Sequence, residues 1–493
     1  MDNFRNSVKN IMFVFLLLFV ALITYIAYFQ TFQANSIAEK EGNRRIWARR
    51  NEIERGPIYD REGNVLTKTK KESTLTQSRT YIYGDLYTST LGYINNKYGL
   101  TGLEAAYDKE LTSYSSAEVS LKEFFTDFSF NKVAELFRDR NKKEEKIGNG
   151  VHTTLDKDIQ KAAYDALGDK VGAVVALNPK TGEILAMVSK PTYDPNDLDN
   201  VMKLANEGKY TDSPLINRAI GGLYPPGSTF KTVTTTSALQ NIDGVQERVF
   251  TDNGKIVFNN SYSLSNSGGE AWGNINLKQA FTVSSNVVFG TISGELGNKT
   301  LKKTAEKFGF NKQLEINGCQ NSQIAISKFP ELKDYEVGMI AQSGIGQGSV
   351  LATPMQMAMV ASTIANDGIL MQPKLVNKVT DMKGNIVSTV DSKKLSTVMN
   401  EEDASTIKDY MVNMVNSSSS LYELQQLNAA GKTGTADHLD KNGNLATPHS
   451  WFISFAPANN PKVAVAVIVE NGGYGAQSAA PIATTVIRSA LSE

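Results

Sequence analysis

The sequence contains a single cysteine, Cys319, and only three histidines among its 493 residues. One cysteine cannot form an intramolecular disulfide or a cysteine-rich metal centre, and we expect Cys319 to be a buried small side chain. His152, His438 and His449 match no metal-binding spacing such as H-E-x-x-H, which favours structural or surface roles for them. We therefore predict neither a metal nor a cofactor. A serine-histidine-aspartate triad stays open, because members of a triad can lie far apart in sequence.

The chain also lacks an excess of charge of either sign, with 51 basic and 51 acidic residues. No basic stripe is interleaved with aromatic residues, so nucleic acid is not an expected partner. Hydrophobic residues make up 41% of the chain, which is enough for a globular protein with a core. The length allows two or three domains, and the sequence has no internal repeat.

One stretch near the N-terminus, Ile11 to Phe29, is almost uniformly apolar and free of charge. As a helix it would span about 28 Å, which matches the hydrocarbon core of a bilayer. Ala34 to Ser36 is a poor cleavage site, so we predict an uncleaved signal anchor, with a buried core helix as the alternative. The count of basic residues on the two sides disfavours a cytoplasmic N-terminus: Arg5 and Lys9 before, and Lys40, Arg44, Arg45 and Arg49 after.

Local patterns after Gly150 place strands at both ends of the region and helices between them. Hairpins are predicted at 172–188, with a turn at 178–182, and at 451–469, with a turn at 457–461. Helices are predicted over 158–167, 232–240, 277–288 and 354–366. In the earlier part, 39–55 and 121–137 have helical patterns and 138–146 is a solvated charge run. These patterns predict an α+β fold class whose antiparallel sheet joins early and late strands.

Three short motifs follow in a fixed order and supply the parts that acyl transfer through a serine ester requires. A serine hydroxyl is a weak nucleophile, so the reaction needs a base one helical turn away, a second proton carrier, and donors for substrate and oxyanion. The motifs are S-x-x-K from Ser228 to Lys231, S-S-N from Ser284 to Asn286, and K-T-G-T from Lys432 to Thr435. Each motif alone is weak evidence, but the order and wide spacing make a coincidence improbable.

The sequence also holds its own controls for two of the motifs. A second S-x-x-K, from Ser405 to Lys408, lies in a polar helical segment, and a second K-T-G, from Lys180 to Gly182, lies in a hairpin turn. Ser228 differs because residues 221–227 precede it with glycines and two prolines, an approach that can set a serine at a helix start. We therefore select Ser228 and expect structural roles for the second copies.

The first two motifs have residue types that suit proton transfer. On a helix, Ser228 and Lys231 share a face, and burial together with the helix dipole would lower the pKa of Lys231, so that it could act as base. Ser284 and Asn286, at a loop or helix start, could relay a proton and hold an amide. Helix capping is the alternative for both motifs.

The third motif suits binding of an extended ligand. In a strand, Lys432 and Gly434 lie on one face, and Thr433 and Thr435 lie on the other. Gly434 would let substrate backbone approach closely, and an edge strand could add a peptide-like ligand by β-pairing. The alternative is another turn, as at Lys180.

With these motifs the chain resembles the class B penicillin-binding proteins, the membrane-anchored D,D-transpeptidases of peptidoglycan synthesis. Further matching segments are 55–63, 102–104, 153–156, 344–348 and 451–452. The resemblance implies a penicillin-binding, serine β-lactamase-like transpeptidase domain after a transmembrane helix and an elongated N-terminal α+β region. It also implies a single-pass membrane protein whose catalytic domain lies outside the cytoplasmic membrane.

On this basis we divide the chain into four parts. They are a cytoplasmic tail (1–10), a transmembrane signal anchor (11–30), a non-catalytic region of pedestal or dimerisation type (31–150) and a penicillin-binding transpeptidase domain (151–493). The roughly 120 residues between anchor and catalytic domain are too few for a glycosyltransferase domain. Glycan strands should therefore come from a partner, a polytopic polymerase that contacts the anchor and the N-terminal region.

The family pattern implies catalytic roles for four residues. Ser228 would be the acyl-enzyme nucleophile and Lys231 its base, and Ser284 with Lys432 would pass the proton to the leaving D-alanine. A second stem peptide's amine would then attack the ester and form the cross-link. β-Lactams, which mimic the D-Ala-D-Ala end, would stay attached to Ser228.

The pattern also implies binding roles. Asn286 would hold the stem-peptide amide, and Thr433 and Thr435, on either side of Gly434, would bind the terminal carboxylate. The oxyanion would lie between the backbone N–H groups of Ser228 and Thr435. The alternatives differ in what resolves the acyl-enzyme: a D,D-carboxypeptidase or β-lactamase uses water, a β-lactam sensor uses acylation as a signal, and a scaffold uses no chemistry. The anchor and the N-terminal region favour the transpeptidase. Its role would be in cell shape or in cell division.

Overall fold

The computed structural model describes residues 2–29, 47, 50–73, 76–113, 146–259, 262–319, 322–440 and 442–492. The helical pattern at 121–137 lies outside these residues, as do most of the charged stretches at 39–55 and 138–146.

The helices of the described residues are numbered along the chain. They are α1 (Asp2–Tyr28), α2 (Thr88–Leu91), α3 (Gly102–Ala106), α4 (Asp108–Leu111), α5 (Lys157–Leu167), α6 (Leu198–Asn206), α7 (Arg218–Gly221), α8 (Lys231–Asn241), α9 (Leu277–Thr282), α10 (Asn286–Lys307), α11 (Val337–Gly344), α12 (Pro354–Ala365), α13 (Glu401–Asn416), α14 (Tyr422–Gln426) and α15 (Gly475–Leu491). Short 3-10 turns lie at Gly84–Tyr87, Pro195–Asp197, Gly227–Phe230, Ser267–Gly269 and Ser419–Leu421.

The strands of the same residues are numbered in the same way. They are β1 (Ile58–Tyr59), β2 (Thr67–Lys71), β3 (Gln77–Tyr81), β4 (Ile94–Asn95), β5 (Gly99–Leu100), β6 (Gly150–Thr153), β7 (Gly172–Leu177), β8 (Ile184–Lys190), β9 (Val249–Asp252), β10 (Lys255–Asn259), β11 (Tyr262–Ser265), β12 (Gly273–Asn276), β13 (Leu314–Glu315), β14 (Gln323–Ile324), β15 (Ile369–Met371), β16 (Val376–Thr380), β17 (Ile386–Thr389), β18 (Lys394–Thr397), β19 (Ala430–Ala436), β20 (His449–Ala456) and β21 (Val463–Val469).

The N-terminal helix α1 is apolar over most of its length. The window from Lys9 to Ile26 has a mean hydropathy of 2.2, and none of it is buried against the rest of the chain. A helix of this length and composition can cross a bilayer. This result agrees with the predicted anchor, and it does not support the alternative of a core helix.

An antiparallel five-stranded sheet in the order β19-β20-β21-β7-β8 forms the centre of the molecule. It joins early and late strands, as predicted: Lys432 faces Ile453 in the register, and Ala466 faces Val175. Every residue of β7, β20 and β21 is buried, because α5 and α15 pack together against the sheet and α12 packs against β7, β20 and β21. The sheet is therefore the core of the fold, and β19 is one of its edges.

The predicted elements of this region are confirmed, with one exception. Both hairpins form. The helices α5 and α12 differ from the predicted ones by one residue at one end, and α8 differs by one residue at each end. The helix predicted over 277–288 is wrong, because α9 ends at Thr282 and α10 starts at Asn286. Ser284, between them, has a φ of 58°, a left-handed conformation that no α-helix can contain.

A second sheet ties the N-terminal region to the rest of the chain. Its strand order is β1-β6-β16-β17, in which Ile58 pairs with Val151 and Val151 pairs with Val379. Residues on both sides of the predicted boundary at 150 thus share one sheet. The division of the chain into four parts stays a prediction.

Buried ion pairs hold the N-terminal region together. The Glu104 carboxylate, 0% exposed, accepts from Arg55 Nε at 2.6 Å and from Arg79 Nε at 2.8 Å. Burial alone would raise the pKa of Glu104, but Arg79 and Arg55 hold it below its ordinary value. Arg55 also donates to Asp108. Arg55 and Glu104 belong to two of the segments that carry the family resemblance, and these contacts give both residues a structural role.

We expect Glu104→Gln to lower stability by roughly 3–5 kcal/mol, because it leaves two buried guanidinium groups short of a counter-charge. The measurement is the apparent unfolding temperature of the full-length chain in detergent. Glu423→Gln is the control, since Glu423 pairs with Arg488 on the surface and its loss should leave the unfolding temperature unchanged. Equal unfolding temperatures for both variants would contradict the structural role of Glu104.

The region around Cys319, from 301 to 336, contains the end of α10 and the short hairpin of β13 and β14. Cys319 is 3% exposed, and burial raises the pKa of its thiol to about 12. A thiol in this environment is inert. The prediction of a buried small side chain is confirmed.

Candidate active site

The segment before Ser228 is held from two sides. Trp451 Nε1, on β20, donates to Pro225 O at 2.9 Å. Tyr224 exchanges backbone hydrogen bonds with Ala352, just before α12. Ser228 itself lies in the 3-10 turn Gly227–Phe230 that leads directly into α8, and it is partly exposed. The predicted placement of Ser228 at a helix start is confirmed.

Gly227 brings this turn against the end of β19. Its φ is 54°, and a Cβ atom there would lie 2.6 Å from Thr435 O. On its other side, Gly227 N donates to Gly346 O at 2.9 Å. Gly346 is equally crowded, since its Cβ would lie 2.2 Å from Gly227 O. The backbones of Ser228 and Thr435, which the family resemblance pairs in an oxyanion hole, are therefore neighbours.

We expect Gly227→Ala to abolish acylation by penicillin, because the methyl group can fit only if the turn carrying Ser228 moves away from Thr435. The measurement is the acylation rate with a fluorescent penicillin, together with the unfolding temperature.

The control for this prediction is Gly244→Ala. Gly244 has a φ of 64° but open space around its Cβ position, so its substitution adds only backbone strain, about 1 kcal/mol. Acylation of Gly227→Ala at the rate of Gly244→Ala would show that the close approach to Thr435 does not matter.

Lys231 is the first residue of α8, and it is completely buried. Its Nζ lies 2.6 Å from Ser284 O, 2.8 Å from Asn286 Oδ1 and 3.2 Å from Ser284 Oγ. Among the described residues, no hydrogen bond joins Lys231 to Ser228 Oγ. The structure thus brings the lysine of the first motif directly onto the second motif.

Lys432, on β19, contacts the same hydroxyl. Its Nζ lies 3.0 Å from Ser284 Oγ and 3.1 Å from Thr433 O, and its side chain is completely buried. Phe281 and Phe289 line this interior, with ring centroids 5.7 Å from Lys432 Nζ and 5.5 Å from Lys231 Nζ. Ser284 Oγ therefore lies within hydrogen-bond distance of two buried amines.

The environment favours the neutral form of both amines. Burial lowers the pKa of Lys432 to about 7. Burial also lowers the pKa of Lys231 well below its ordinary value, and the charge of Lys432 acts in the same direction. Burial, as the sequence suggested, is the largest of these effects on Lys231; the contribution of the helix dipole stays a prediction. Both amines therefore give up their protons at a lower pH than an exposed lysine does, which suits them to proton transfer.

The turn that presents Ser284 depends on residues that sequence reasoning missed. Asn266 Oδ1 accepts from Asn286 N at 2.7 Å and from Val287 N at 3.1 Å. Asn266 Nδ2 in turn donates to both carboxylate oxygens of Asp252, at 2.8 and 2.9 Å. In the sequence these two residues carry only turn signals next to glycines, and nothing there connects them with the second motif.

The third motif forms β19, with the alternation that the sequence predicted. Lys432 and Gly434 are buried, whereas Thr433 and Thr435 are partly exposed on the other face. A Cβ on Gly434 would lie 2.9 Å from Thr229 Cγ2 and 3.0 Å from Pro226 O. The missing side chain makes room for the turn that carries Ser228. Binding of substrate by Thr433, Gly434 and Thr435 stays a prediction.

The second copies of the motifs are structural, as predicted. Ser405 is exposed on α13, and Lys408 pairs with Asp367 at 3.2 Å. Lys180 lies in the turn between β7 and β8. These residues are apart from the site and provide matched controls for it.

The three histidines make ring contacts. His152 stacks on Tyr59 with ring centroids 4.5 Å apart, and His438 stacks on His449 at 3.8 Å. His449 Nδ1 accepts from Asn471 N, and burial lowers the pKa of His449 to about 4. None of them contacts Ser228 among the described residues, so the triad that the sequence left open is not formed.

Two family models match the chain. One is described as the penicillin binding protein transpeptidase domain and covers residues 172–488, and the other is described as the penicillin binding protein A dimerisation domain and covers residues 55–129. The first of these contains all three motifs.

The chain is also similar to characterised proteins and solved structures. It is 33% identical to the peptidoglycan D,D-transpeptidase PbpA of Mycolicibacterium smegmatis, over 99% of both chains. A structure of penicillin-binding protein A from M. tuberculosis, as a penicillin G acyl-enzyme complex, has a TM-score of 0.77 and 32% identity, and the match covers 89% of this chain and 100% of that one. A D,D-transpeptidase domain from Eggerthella lenta gives a TM-score of 0.77 at 33% identity, with coverage of 90% and 99%.

Proposed function

The chain belongs to the penicillin-binding protein transpeptidase family, and on that premise we propose that it cross-links peptidoglycan stem peptides through an acyl-enzyme on Ser228. The observation that carries the proposal is the pair of completely buried amines, Lys231 and Lys432, on either side of Ser284 Oγ. Such an arrangement has a high cost in desolvation and little structural benefit, and proton transfer accounts for it.

The hydrogen bonds around Lys231 leave its lone pair free for this task. A neutral amine has two N–H donors and one lone pair. The carbonyl oxygens of Ser284 and Asn286 can only accept, so they take the two N–H groups. The lone pair is left for a hydroxyl proton. The hydroxyl of Ser284 lies 3.2 Å from Lys231 Nζ, and the hydroxyl of Ser228 lies one helical turn away along the chain.

Acylation then proceeds in two steps, formation of the bond to Ser228 and departure of D-alanine. Lys231 accepts the Ser228 hydroxyl proton as Oγ bonds to the carbonyl carbon between the two D-alanines, and the backbone N–H groups of Ser228 and Thr435 stabilise the oxyanion. The C–N bond breaks, and the departing D-alanine nitrogen receives a proton through Ser284 and Lys432. Thr433 and Thr435 hold the terminal carboxylate, and Asn286 holds the peptide amide.

The ester is resolved by the amine of a second stem peptide. The amine nitrogen bonds to the ester carbon and its proton passes to the lysines, Lys432 and Lys231. The bond between the ester carbon and Ser228 Oγ breaks, and Ser228 regains its hydroxyl. A β-lactam acylates Ser228 in the same way. When its ring opens, the nitrogen that leaves the carbonyl carbon stays attached to the rest of the molecule, so no group departs and the adduct stays on Ser228. The chain therefore binds β-lactams and is inactivated by them.

The helix α1 anchors the enzyme in the cytoplasmic membrane, with the catalytic domain on the extracytoplasmic side. The hydropathy and exposure of α1 support the anchor. A polytopic glycan polymerase that contacts α1 and the N-terminal region supplies the glycan strands whose stem peptides are cross-linked. Replacement of α1 by an unrelated apolar helix should keep penicillin binding and lose co-purification of a polymerase; unchanged co-purification would contradict this contact.

The test of the proposed function is a peptide that ends in D-Ala-D-Ala, given to the full-length chain with and without an amine acceptor. We expect D-alanine release and, with the acceptor, a cross-linked amide detected by mass spectrometry. Release of D-alanine with only the hydrolysed acid, whatever the acceptor, would identify a carboxypeptidase. No reaction with peptide or penicillin in a well-folded protein would identify a scaffold.

A further inference from the structure

Asp252, at the end of β9, is a buried carboxylate without an ion pair among the described residues. Its side chain is 0% exposed. Three uncharged donors surround it: Gly254 N at 2.8 Å, Asn266 Nδ2 at 2.8 Å and Ser285 Oγ at 2.5 Å. Even with these hydrogen bonds, burying a carboxylate is costly when no cation is paired with it. Its location therefore calls for an explanation.

The donors of Asp252 lead to the start of α10. Asn266 Oδ1 binds the backbone N–H groups of Asn286 and Val287, and Ser285 Oγ accepts from Val288 N at 3.0 Å while it donates to Asp252. The carboxylate thus fixes the partners of three successive N–H groups in the first turn of α10. These groups lack partners inside the helix, and their capping fixes the left-handed turn at Ser284.

The charge of Asp252 also acts on Lys231. Among the described residues, the charged groups that act on Lys231 are Lys432 on β19 and Asp252 on β9. Burial and Lys432 lower the pKa of Lys231, whereas Asp252 acts in the opposite direction and raises it. A base must hold the proton that it removes, and the carboxylate stabilises the ammonium that forms on Lys231 during attack.

We propose that Asp252 is a positioning residue for acyl transfer, which fixes the turn of Ser284 through Asn266 and Ser285 and places a negative charge next to the segment, Ser284 to Asn286, that binds Lys231. This inference rests on the proposed function, since it assigns Asp252 a part in the same reaction. It separates two effects, one geometric and one electrostatic, which different variants remove.

Asp252→Asn removes the charge and keeps the size of the side chain. The pKa of Lys231 should then fall. In a plot of acylation rate against pH, the acid limb, where the rate declines toward low pH, should therefore move to lower pH by about one pH unit. The plateau rate should fall roughly tenfold or more, because a weaker base removes the Ser228 proton less effectively. Asn266→Ala keeps the charge and removes the link, so it should lower the rate and leave the limb in place.

The experiment measures the second-order rate of acylation by a fluorescent penicillin from pH 5 to pH 10, with the full-length chain in detergent. Asp381→Asn is the matched control, because Asp381 accepts comparable backbone hydrogen bonds in an exposed turn, and its profile should equal that of the wild type. A wild-type profile and rate in Asp252→Asn would overturn the proposal, and so would a limb that moves to higher pH.

A second variant keeps the proposal testable if Asp252→Asn does not fold. Ser285→Ala retains the carboxylate and loses one donor and the cap of Val288, so we expect slower acylation and an unchanged limb. Wild-type rates in both Ser285→Ala and Asn266→Ala would overturn the geometric part. Failure of the proposed function is a different result, since the wild type itself would then not acylate, or would acylate at another residue than Ser228.

Discussion

Ser228→Ala should abolish labelling by a fluorescent penicillin and the formation of cross-linked peptide. The hydroxyl is the atom that forms the ester, and Ser228 is partly exposed to solvent in the 3-10 turn that leads into the helix of Lys231. Removal of a serine nucleophile costs on the order of 10⁶-fold in rate, which places the variant below detection.

The control for this prediction is in the same chain. Ser405→Ala removes the serine of the second S-x-x-K, which is exposed on α13, and it should label as the wild type does. The measurement is in-gel fluorescence of both variants and the wild type, with unfolding temperatures to show that each is folded. Labelling of Ser228→Ala at the wild-type level would contradict the assignment of the nucleophile.

Lys231→Gln should lower the rate of acylation by roughly 10³-fold, which lies within the usual contribution of a general base. Glutamine has a similar length and can bond to Ser284 and Asn286, but its amide has no basic lone pair. Lys231→Arg should be inactive as well, because a guanidinium keeps its proton at every accessible pH. Binding of the penicillin before acylation should change little.

The control here is Lys408→Gln, which removes the lysine of the second S-x-x-K and its surface contact with Asp367. Stopped-flow acylation at several penicillin concentrations separates the rate of the chemical step from the binding constant. If Lys231→Gln weakened binding and left the chemical step at the wild-type rate, Lys231 would be a structural residue and another group would be the base.

The sequence was sufficient for the elements that depend on local patterns. The β-rich runs at 451–455 and 463–469, with the turn at 457–461 between them, predicted a hairpin, and both strands are buried in the centre of the sheet. Ser228 and Lys231 were expected to share a helix face, and the 3-10 turn before α8 keeps them close because residues three apart eclipse in such a turn.

The sequence was insufficient where distant residues determine the local conformation. The break between α9 and α10 is one example, since Ser284 has no intrinsic preference for a left-handed φ. Asn266 and Asp252 enforce the turn from 18 and 32 residues away along the chain. The direction of the pKa of Lys231 was expected, but its contact with Ser284 and Asn286 depends on how three separate elements pack.

Gly434 shows the same limit in another form. Its small size was ascribed to the approach of a ligand, and the structure shows that the turn of Ser228 occupies that space. The glycine is needed by the fold of the site itself. The K-T-G-T pattern thus predicted a close approach to Gly434. Only the packing of β19 against the Gly227–Phe230 turn shows that the turn makes this approach.

The central claim is that Ser228 carries the acyl group, and mapping the adduct tests it most directly. The full-length chain is incubated with penicillin G, digested, and analysed by tandem mass spectrometry. We predict one stoichiometric penicilloyl adduct, on Ser228, that persists after free penicillin is removed. An adduct on Ser284 or elsewhere, or no adduct on a folded protein, would contradict the account.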